Sequence, residues 1–476
     1  MSELHDLTAL EQASAIREGS LSPVQLTEHY LSRIEQLNDT LGAFVTPTPE
    51  LARAQAVEAE KGLQAAHRED RPLPPLYGVP VPVKDTLAVA GVRTTRGSAV
   101  FADSVPDADD PLVGHLRNAG TIMLGKTNTP EFALPPYTEN KVAPPARTPW
   151  DLALSAGGSS GGAAAAVAAG LAPLAQGTDD GGSIRIPASV CGLVGIKPSR
   201  GRVAAGPLRY DTAGLSVSGP LARTVADAAA LLDVMTGAAS DNPYTAPPLP
   251  KGTTFLSYAG KDPGPLRIVA LVNPPIPGVH LHPDCLAAHH EAITVLRELG
   301  HHVDELDLPA DESGRRAFQT LWAVLAVAHP VDERAEADLM PLTRHLRKVA
   351  GGISAPEYAE ALQVLRAMGQ LVSGALLQSY DVMLSPTLAQ PPAPVGSLRD
   401  DDPQAELENL TRFTPYTPLY NLTGQPAMNV PLHWRQDGLP IGVMLGADLG
   451  DEGTLISLAA QLESARPWFA HHPAMW

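Results

Sequence analysis

Two glycine- and serine-rich segments near the middle of the chain constrain its fold most. They are residues 157–162, GGSSGG, and residues 177–187, GTDDGGSIRIP. Glycine lets consecutive backbone N–H groups converge on one point, as an oxyanion hole requires. The stretch 161–170, GGAAAAVAAG, predicts a helix that packs tightly in the interior because its side chains are small. A flexible linker is the alternative, but linkers do not place Asp, Arg and Pro around their glycines. We therefore predict catalytic loops held by a core.

The rest of the chain has the pattern of an α/β protein. The first 65 residues predict helices that begin after Thr8, Ser22 and Thr48, the last of them ending near Gly62. Further predicted elements are strands at 79–83, 121–124, 266–272 and 302–306, strands near 381–384, 427–431 and 441–445, and helices at 283–299 and 453–464. One large central sheet is expected, with a division into two lobes as the alternative.

Composition narrows the classes of function. Lys plus Arg is 34 and Asp plus Glu is 52, so the formal charge is −18, and such a surface repels phosphate backbones. Cys191 and Cys285 make neither a disulfide framework nor a CxxC metal site. The start lacks a basic region followed by an apolar one, and the apolar run 321–328 is too short to span a bilayer. We expect a cytoplasmic protein that binds neither nucleic acid nor a membrane.

A serine nucleophile needs a base, and lysine is the candidate. No histidine occurs between His115 and His280. Lys84 ends the apolar run YGVPVPVK, where a lone ammonium would be poorly solvated. Burial can lower a lysine pKa from about 10.4 to about 7–8, which suits a general base. The alternative is a structural lysine that pairs with Asp85.

The chain resembles the amidase signature family, whose members hydrolyse amides with a Ser–cis-Ser–Lys triad. The resemblance rests on GVPVPVKDT around Lys84, GGSSGG around Ser159 and GTDDGGSIRIPA around Ser183. Weaker matches lie at 125–131, 197–201, 219–224, 421–426 and 437–442. The family fold implied is α/β, with a single large mixed β-sheet surrounded by helices. The parts assigned to one amidase domain, 1–476, are a helical segment 1–65, a triad-bearing core at about 76–230 and a C-terminal portion at about 265–476.

The resemblance also implies residue roles. Ser183 would be the nucleophile, Ser159 a relay in a cis peptide bond, and neutral Lys84 the base. The other assigned residues are the backbone N–H groups of Asp180, Gly181, Gly182 and Ser183 for the oxyanion, Ser160, Asp179 and Arg185 for support, and Gly157, Gly158, Tyr137, Thr138 and the region 314–350 for substrate binding. No metal or other cofactor is expected. The expected partner is a small-molecule amide, and the expected assembly is a monomer or homodimer.

Asp180 departs from the family pattern, in which this position is more often small or uncharged. A carboxylate beside a developing oxyanion opposes catalysis unless it turns away or is paired. We hypothesise that Asp180 points outward, toward a polar or cationic part of the substrate.

Three other motifs match functional patterns only in part, and we do not expect them to form a nucleotide site, a hydrolase elbow or a metal site. The segment 120–127, GTIMLGKT, matches the P-loop pattern, but its predicted strand lies between the glycines and not before them. The GxSxG match at 157–161 suggests an α/β-hydrolase elbow, yet no Val/Ile-rich strand precedes it and those enzymes require histidine. His280, His282 and Asp284 have a metal-like spacing without a further close ligand.

Two alternatives to a stand-alone amidase are considered. The glutaminase-type A subunit of the glutamyl-tRNA amidotransferase has a similar start, but it usually shows an NMDEFAMGSS-like run where this chain has NTPEFALPPY at 128–137. A catalytically silent, binding-only relative is the second alternative, although all three triad residues are present.

Overall fold

A computed structural model of the chain describes residues 3–204, 213–236, 244–307 and 312–476. Residues 205–212 of the predicted core and residues 308–311 of the predicted C-terminal portion lie outside the described residues.

Helices and strands alternate through most of the chain. The helices are α1 (Ala9–Arg17), α2 (Pro23–Leu41), α3 (Pro49–Glu69), α4 (Pro111–Asn118), α5 (Gly161–Ala168), α6 (Arg185–Cys191), α7 (Val225–Met235), α8 (Phe255–Tyr258), α9 (Pro283–Glu298), α10 (Glu312–Leu325), α11 (Pro341–Gly352), α12 (Ala355–Leu371), α13 (Pro403–Phe413), α14 (Pro418–Thr423) and α15 (Glu452–Ala465). The strands are β1 (Phe44–Pro47), β2 (Val83–Lys84), β3 (Gly125–Thr127), β4 (Leu174–Asp179), β5 (Val194–Lys197), β6 (Val217–Ala222), β7 (Arg267–Leu271), β8 (His302–Leu306), β9 (Val382–Pro386), β10 (Ala427–Trp434) and β11 (Pro440–Gly446).

A mixed sheet of eight strands forms the centre of the described structure, in the order β4-β6-β5-β10-β11-β9-β7-β8. Neighbours from β4 to β9 are antiparallel, whereas β9, β7 and β8 run parallel. The parallel pair β7 and β8 is joined through α9, so the strands predicted at 266–272 and 302–306 and the helix predicted at 283–299 form a βαβ unit. The prediction of an α/β fold with one large mixed sheet surrounded by helices is confirmed.

A second sheet of three short strands, β1-β3-β2, carries Lys84 at its edge. The strand predicted at 79–83 is reduced to Val83–Lys84, because the prolines at 80 and 82 lack the N–H that a ladder needs. The strand predicted at 121–124 lies later, at Gly125–Thr127, although Ile122 N–H still donates to the Val79 carbonyl at 3.0 Å. The two predicted segments are therefore adjacent, but the regular backbone pairing between them extends over few residues.

The N-terminal region departs from the predicted all-helical segment in two places. Residues Phe44–Pro47 form β1, which pairs with β3 and fixes the start of α3. Helix α3 continues past Gly62 to Glu69, because that glycine faces the Tyr77 ring and a larger residue would collide with it. Gly62 therefore packs against Tyr77 inside the helix and does not end it.

The small-residue helix α5 is buried along its whole length, as predicted. A side chain at Gly162 would meet backbone atoms of Ala43 and Asn128, so the helix approaches the neighbouring chain at backbone distance. This close packing brings the segment that precedes α5 against β4, whose residues are all buried. None of the described helices combines the length and the apolar character that crossing a bilayer requires.

Candidate active site

Lys84 lies at the end of β2 with its amine inside the protein. The side chain is 0 % exposed, and Nζ lies 2.8 Å from Ser159 Oγ and 2.8 Å from Thr178 Oγ1. The backbone N–H of Lys84 donates to Gln176 Oε1 at 3.0 Å, which ties β2 to β4. The structure thus brings two of the three predicted triad side chains into direct contact.

The alternative partner for this lysine, Asp85, is engaged elsewhere. Its carboxylate lies 3.1 Å from Lys126 Nζ and accepts from the backbone N–H of Thr95 at 3.0 Å. Both ends of the Lys126–Asp85 pair are fully buried. The adjacent acidic residue therefore serves a second lysine on β3.

Ser159 follows a cis peptide bond, between Gly158 and Ser159, as the resemblance implies. A Cβ atom at Gly158 would lie 2.7 Å from backbone atoms of Tyr137, so only glycine fits there. The next residue, Ser160, donates its N–H to the Ser183 carbonyl at 3.0 Å. Its hydroxyl donates to the Thr178 carbonyl at 3.1 Å and accepts from the Thr178 N–H at 3.2 Å. These bonds hold the two glycine-rich segments against each other.

Asp179 organises the loop that carries Ser183. Its Oδ1 accepts from the Gly182 N–H at 2.7 Å and its Oδ2 from the Ile184 N–H at 3.2 Å. Arg185 closes a two-pronged ion pair on the same carboxylate, with both contacts at 2.9 Å and both side chains fully buried. Burial alone would raise the pKa of Asp179, but the charge and hydrogen bonds of Arg185 lower this pKa below its ordinary value.

Gly182, one member of the predicted oxyanion hole, has a hydrogen-bond partner for its N–H group in the structure. The Gly182 N–H donates to Asp179 Oδ1 at 2.7 Å and is therefore already used within the loop. The candidates that remain are the backbone N–H groups of Asp180, Gly181 and Ser183.

Ser183 is 6 % exposed and lines a cavity of about 130 Å³. We call this space the apolar cavity. Its other lining residues are Leu134, Pro136, Asp180, Gly181, Ile186, Pro275, Ile276, Gly314, Arg315, Phe318, Gln319, Trp322, Met368, Leu407, Leu410, Thr411, Thr414, Pro415, Pro418, Leu419 and Leu422. The walls come from the β4–α6 loop, α10, α12, α13 and α14. Residues of the predicted region 314–350 do line it, through α10.

The four residues predicted to bind substrate lie elsewhere. The Tyr137 hydroxyl hydrogen-bonds the Glu406 carboxylate, and the Thr138 hydroxyl donates to the Gly157 carbonyl at 2.9 Å. Gly157, Gly158, Tyr137 and Thr138 are not among the described residues that line the apolar cavity. The Thr138 bond and the close approach of Gly158 to the Tyr137 backbone hold the Ser159 loop in place, whereas the Tyr137 hydroxyl reaches α13.

A family model described as Amidase matches residues 25–456 of the chain. The chain belongs to the amidase family. AmiB2 of Mycobacterium tuberculosis is 39 % identical over 477 residues, 98 % of each chain. The acylamidase of Rhodococcus erythropolis is 34 % identical over 484 residues, 99 % of this chain and 98 % of that one.

A solved structure of 6-aminohexanoate cyclic dimer hydrolase superposes on this amidase with a TM-score of 0.90. The two sequences are 33 % identical, and the match covers 100 % of both chains. The predictions of the family, of the fold and of an amide hydrolase are therefore confirmed.

Sequence reasoning missed three residues that shape the site of this amidase. Thr178 contacts the Lys84 amine, Asn421 donates to Asp179 Oδ1 at 2.9 Å, and Thr417 donates to the Gly181 carbonyl at 2.6 Å. Thr178 and Asn421 lie in segments that match the family pattern, but the pattern alone does not indicate what either side chain contacts. Thr417 comes from α14's N-terminus, more than 200 residues away, and no local pattern points to it.

Among the described residues, one group of side chains has the arrangement of possible metal ligands. Glu3, His5 and His29 are the group whose ligand atoms lie close enough together to hold an ion. The two imidazoles are hydrogen-bonded to each other, His5 Nδ1 to His29 Nε2 at 2.9 Å. Burial and the nearby Arg33 lower the pKa of His5 to about 4. His282 instead caps α9, where its Nδ1 accepts from the Asp284 N–H at 3.2 Å.

Proposed function

We propose that this amidase hydrolyses a carboxylic amide to a carboxylate and ammonia or an amine, through an acyl-enzyme on Ser183. The proposal is carried by the fully buried contact of 2.8 Å between Lys84 Nζ and Ser159 Oγ. Burial favours the neutral amine over the ammonium, because a buried charge loses its hydration. A neutral amine can accept a proton, which a general base must do.

In the proposed acylation, Ser183 Oγ attacks the amide carbon. Its proton passes to Ser159 Oγ while the Ser159 proton passes to Lys84 Nζ. The carbonyl oxygen becomes an oxyanion and accepts hydrogen bonds from the backbone N–H groups of Asp180, Gly181 and Ser183. The C–N bond then breaks, and the proton returns through Ser159 to the leaving nitrogen, which departs as ammonia or an amine.

Deacylation repeats the same steps with water. Water attacks the ester carbon and gives its proton through Ser159 to Lys84, and the oxyanion forms in the same place. The C–O bond to Ser183 then breaks and the serine recovers its proton, which leaves the free carboxylic acid. Ser160, Asp179 and Arg185 position these groups in the proposal and take no part in proton transfer.

The residue roles are tested by substitution. Ser183→Ala, Ser159→Ala and Lys84→Met should each lower kcat on a hydrolysed amide by about 10⁴-fold or more. The three groups act as one unit, so the effects of their removal should not add. The kcat of the Lys84→Met/Ser159→Ala double variant should lie within a few-fold of that of the slower single variant. Lys61→Met is the matched control, since Lys61 lies exposed on α3 beside Glu58 and should keep the full rate.

The acyl-enzyme is tested by mass spectrometry. Acid quenching during turnover should leave one acyl group on the peptide that contains Ser183, and this adduct should be missing from Ser183→Ala. A serine-directed phosphonate should label the same peptide. An acyl group found on another residue, or an Ser183→Ala variant that keeps a tenth of the rate, would contradict the proposal.

We also propose that the substrate is a small-molecule amide, that no cofactor is used, and that the enzyme works in the cytoplasm as a monomer or homodimer.

A further inference from the structure

A second cavity shares the lining residue Asp180 with the apolar cavity. It has a volume of about 440 Å³ and is called the polar cavity here, because Asp107, Asp110, Arg96 and His329 line it together with Asp180. Asp180 is 9 % exposed, and among the described residues it is the one that lines both cavities. It lies three residues before Ser183. The proposed nucleophile therefore lies next to a boundary between an apolar and a polar space.

The charged groups of the polar cavity have different surroundings. Asp110 accepts from the backbone N–H of Ala88 at 2.6 Å, so its carboxylate has a structural bond. The guanidinium of Arg96 lies over the Phe101 ring, 5.1 Å from its centre. Asp107 lies exposed at the outer rim. Of the three carboxylates, Asp180 is the one that also borders the apolar cavity beside Ser183.

The order of events in amide hydrolysis indicates which cavity receives the acyl group and which receives the leaving amine. After the amine has left, water must reach the ester carbon from the side that the amine occupied. Cavities lined by polar groups hold water, whereas apolar ones stay dry. The amine therefore leaves toward the polar cavity, and the acyl group occupies the apolar one.

We propose that Asp180 is a specificity-determining residue that selects amides of an apolar acyl group whose leaving amine carries a second, cationic group. The inference rests on the proposed function and adds the substrate class. A carboxylate at this boundary attracts an ammonium on the amine half and repels a carboxylate there.

Three amides with one acyl group test the proposal. Hexanoyl amides of ethylenediamine, propylamine and glycine place a cation, a neutral group and an anion at nearly the same position, and each releases hexanoate. Wild-type kcat/KM should fall in that order. Asp180→Asn should lower the ratio of the aminoethyl to the propyl substrate by about tenfold, the value of one hydrogen bond to a charged group.

A matched control removes a carboxylate that lies near the apolar cavity but does not line it. Glu408 on α13 lines a third cavity, which shares Arg315 and Leu407 with the apolar cavity but not Asp180, and Glu408→Gln should leave the ratio unchanged. A ratio that Asp180→Asn leaves unchanged, or that Glu408→Gln lowers equally, overturns the proposal. Because only the ratio is read, a general loss of folding or rate cannot imitate the expected result.

Binding to Ser183→Ala separates this inference from the proposed function. Calorimetry should show the aminoethyl amide binding about tenfold more tightly than the propyl amide, and Asp180→Asn in the same background should remove the difference. If the preference is found but no hydrolysis depends on Ser183, the proposed function fails and the inference stands. If hydrolysis depends on Ser183 but binding shows no preference, the inference fails alone. Binding of neither amide also overturns the inference.

Discussion

Replacement of Asp179 by asparagine tests whether one buried carboxylate holds the catalytic loop. The carboxylate accepts five hydrogen bonds, from the N–H groups of Gly182 and Ile184, from Nε and Nη2 of Arg185, and from Asn421. Asparagine keeps one of the two acceptor oxygens and turns an NH₂ group toward existing donors. It also leaves the fully buried Arg185 without its counter-charge.

Breaking a buried ion pair by removing one partner costs about 3–5 kcal/mol, because the remaining charge is uncompensated. We therefore expect Asp179→Asn to lower the free energy of unfolding by about that amount. We also expect kcat to fall at temperatures where the variant is folded, since Gly182 and the adjacent N–H groups lose their anchor. Urea unfolding followed by tryptophan fluorescence at pH 7 gives the first quantity, and initial rates at 15 °C give the second.

The chain supplies a matched control on its surface. Arg53 and Glu28 form the same two-pronged contact, at 2.7 and 3.0 Å, but the two side chains are 51 % and 46 % exposed. Glu28→Gln should therefore leave the unfolding midpoint unchanged within error, because water screens the pair. If Asp179→Asn costs less than about 1 kcal/mol, or no more than Glu28→Gln, the reasoning from burial is refuted.

The pH dependence fixes the sign of the effect. The pKa of Asp179 is lowered in the folded protein, so its stabilising contribution is fully present above the ordinary aspartate pKa, about 3.9, and is lost as the pH falls through the folded value. The difference between wild type and Asp179→Asn should be constant from pH 6 to 8 and shrink only in acid. A difference that shrinks near pH 7 would point to another group.

Three further predictions follow from single positions. Gly162→Ala should destabilise the protein by about 1–3 kcal/mol, because the added methyl group would meet backbone atoms of Ala43 and Asn128. Gly114→Ala, in α4 with open space around it, should instead stabilise the protein by about 0.5–1 kcal/mol. Thermal unfolding of both variants tests this, and equal shifts of the two unfolding temperatures would contradict the packing argument. Burial raises the pKa of Glu463 to about 7, so its contribution to stability is present below the ordinary value and lost as the pH rises through 7. Glu463→Gln should therefore be more stable than wild type by about 3 kcal/mol at pH 8, with little difference at pH 4, and a gap independent of pH in urea unfolding would reject the assignment. Phe318→Ala widens the apolar cavity and should raise kcat/KM for branched over linear acyl groups by about tenfold, measured with two amides of one amine; an unchanged ratio would place the acyl group elsewhere.

The residues of the proposed reaction could be nominated from sequence because they lie in short segments that carry their own geometry. Gly157 and Gly182 adopt positive φ angles that other residues avoid, and a serine follows each glycine pair. The absence of histidine between 115 and 280 left lysine as the candidate base. Helix α5 was equally predictable, since a run of alanine and glycine buries well only against close neighbours.

Folding alone decided the surroundings of these residues. Thr417 and Asn421 reach the Ser183 loop from more than 230 residues away, and the apolar cavity is closed by α10, α12, α13 and α14. Such contacts have no local signal, because a side chain's neighbours across a sheet depend on strand order and not on its own sequence. The same reason explains the position of Asp180 between two cavities. Local sequence therefore determined which residues are candidates for the chemistry of this amidase, and tertiary packing decided which groups anchor them and which cavities lie beside them.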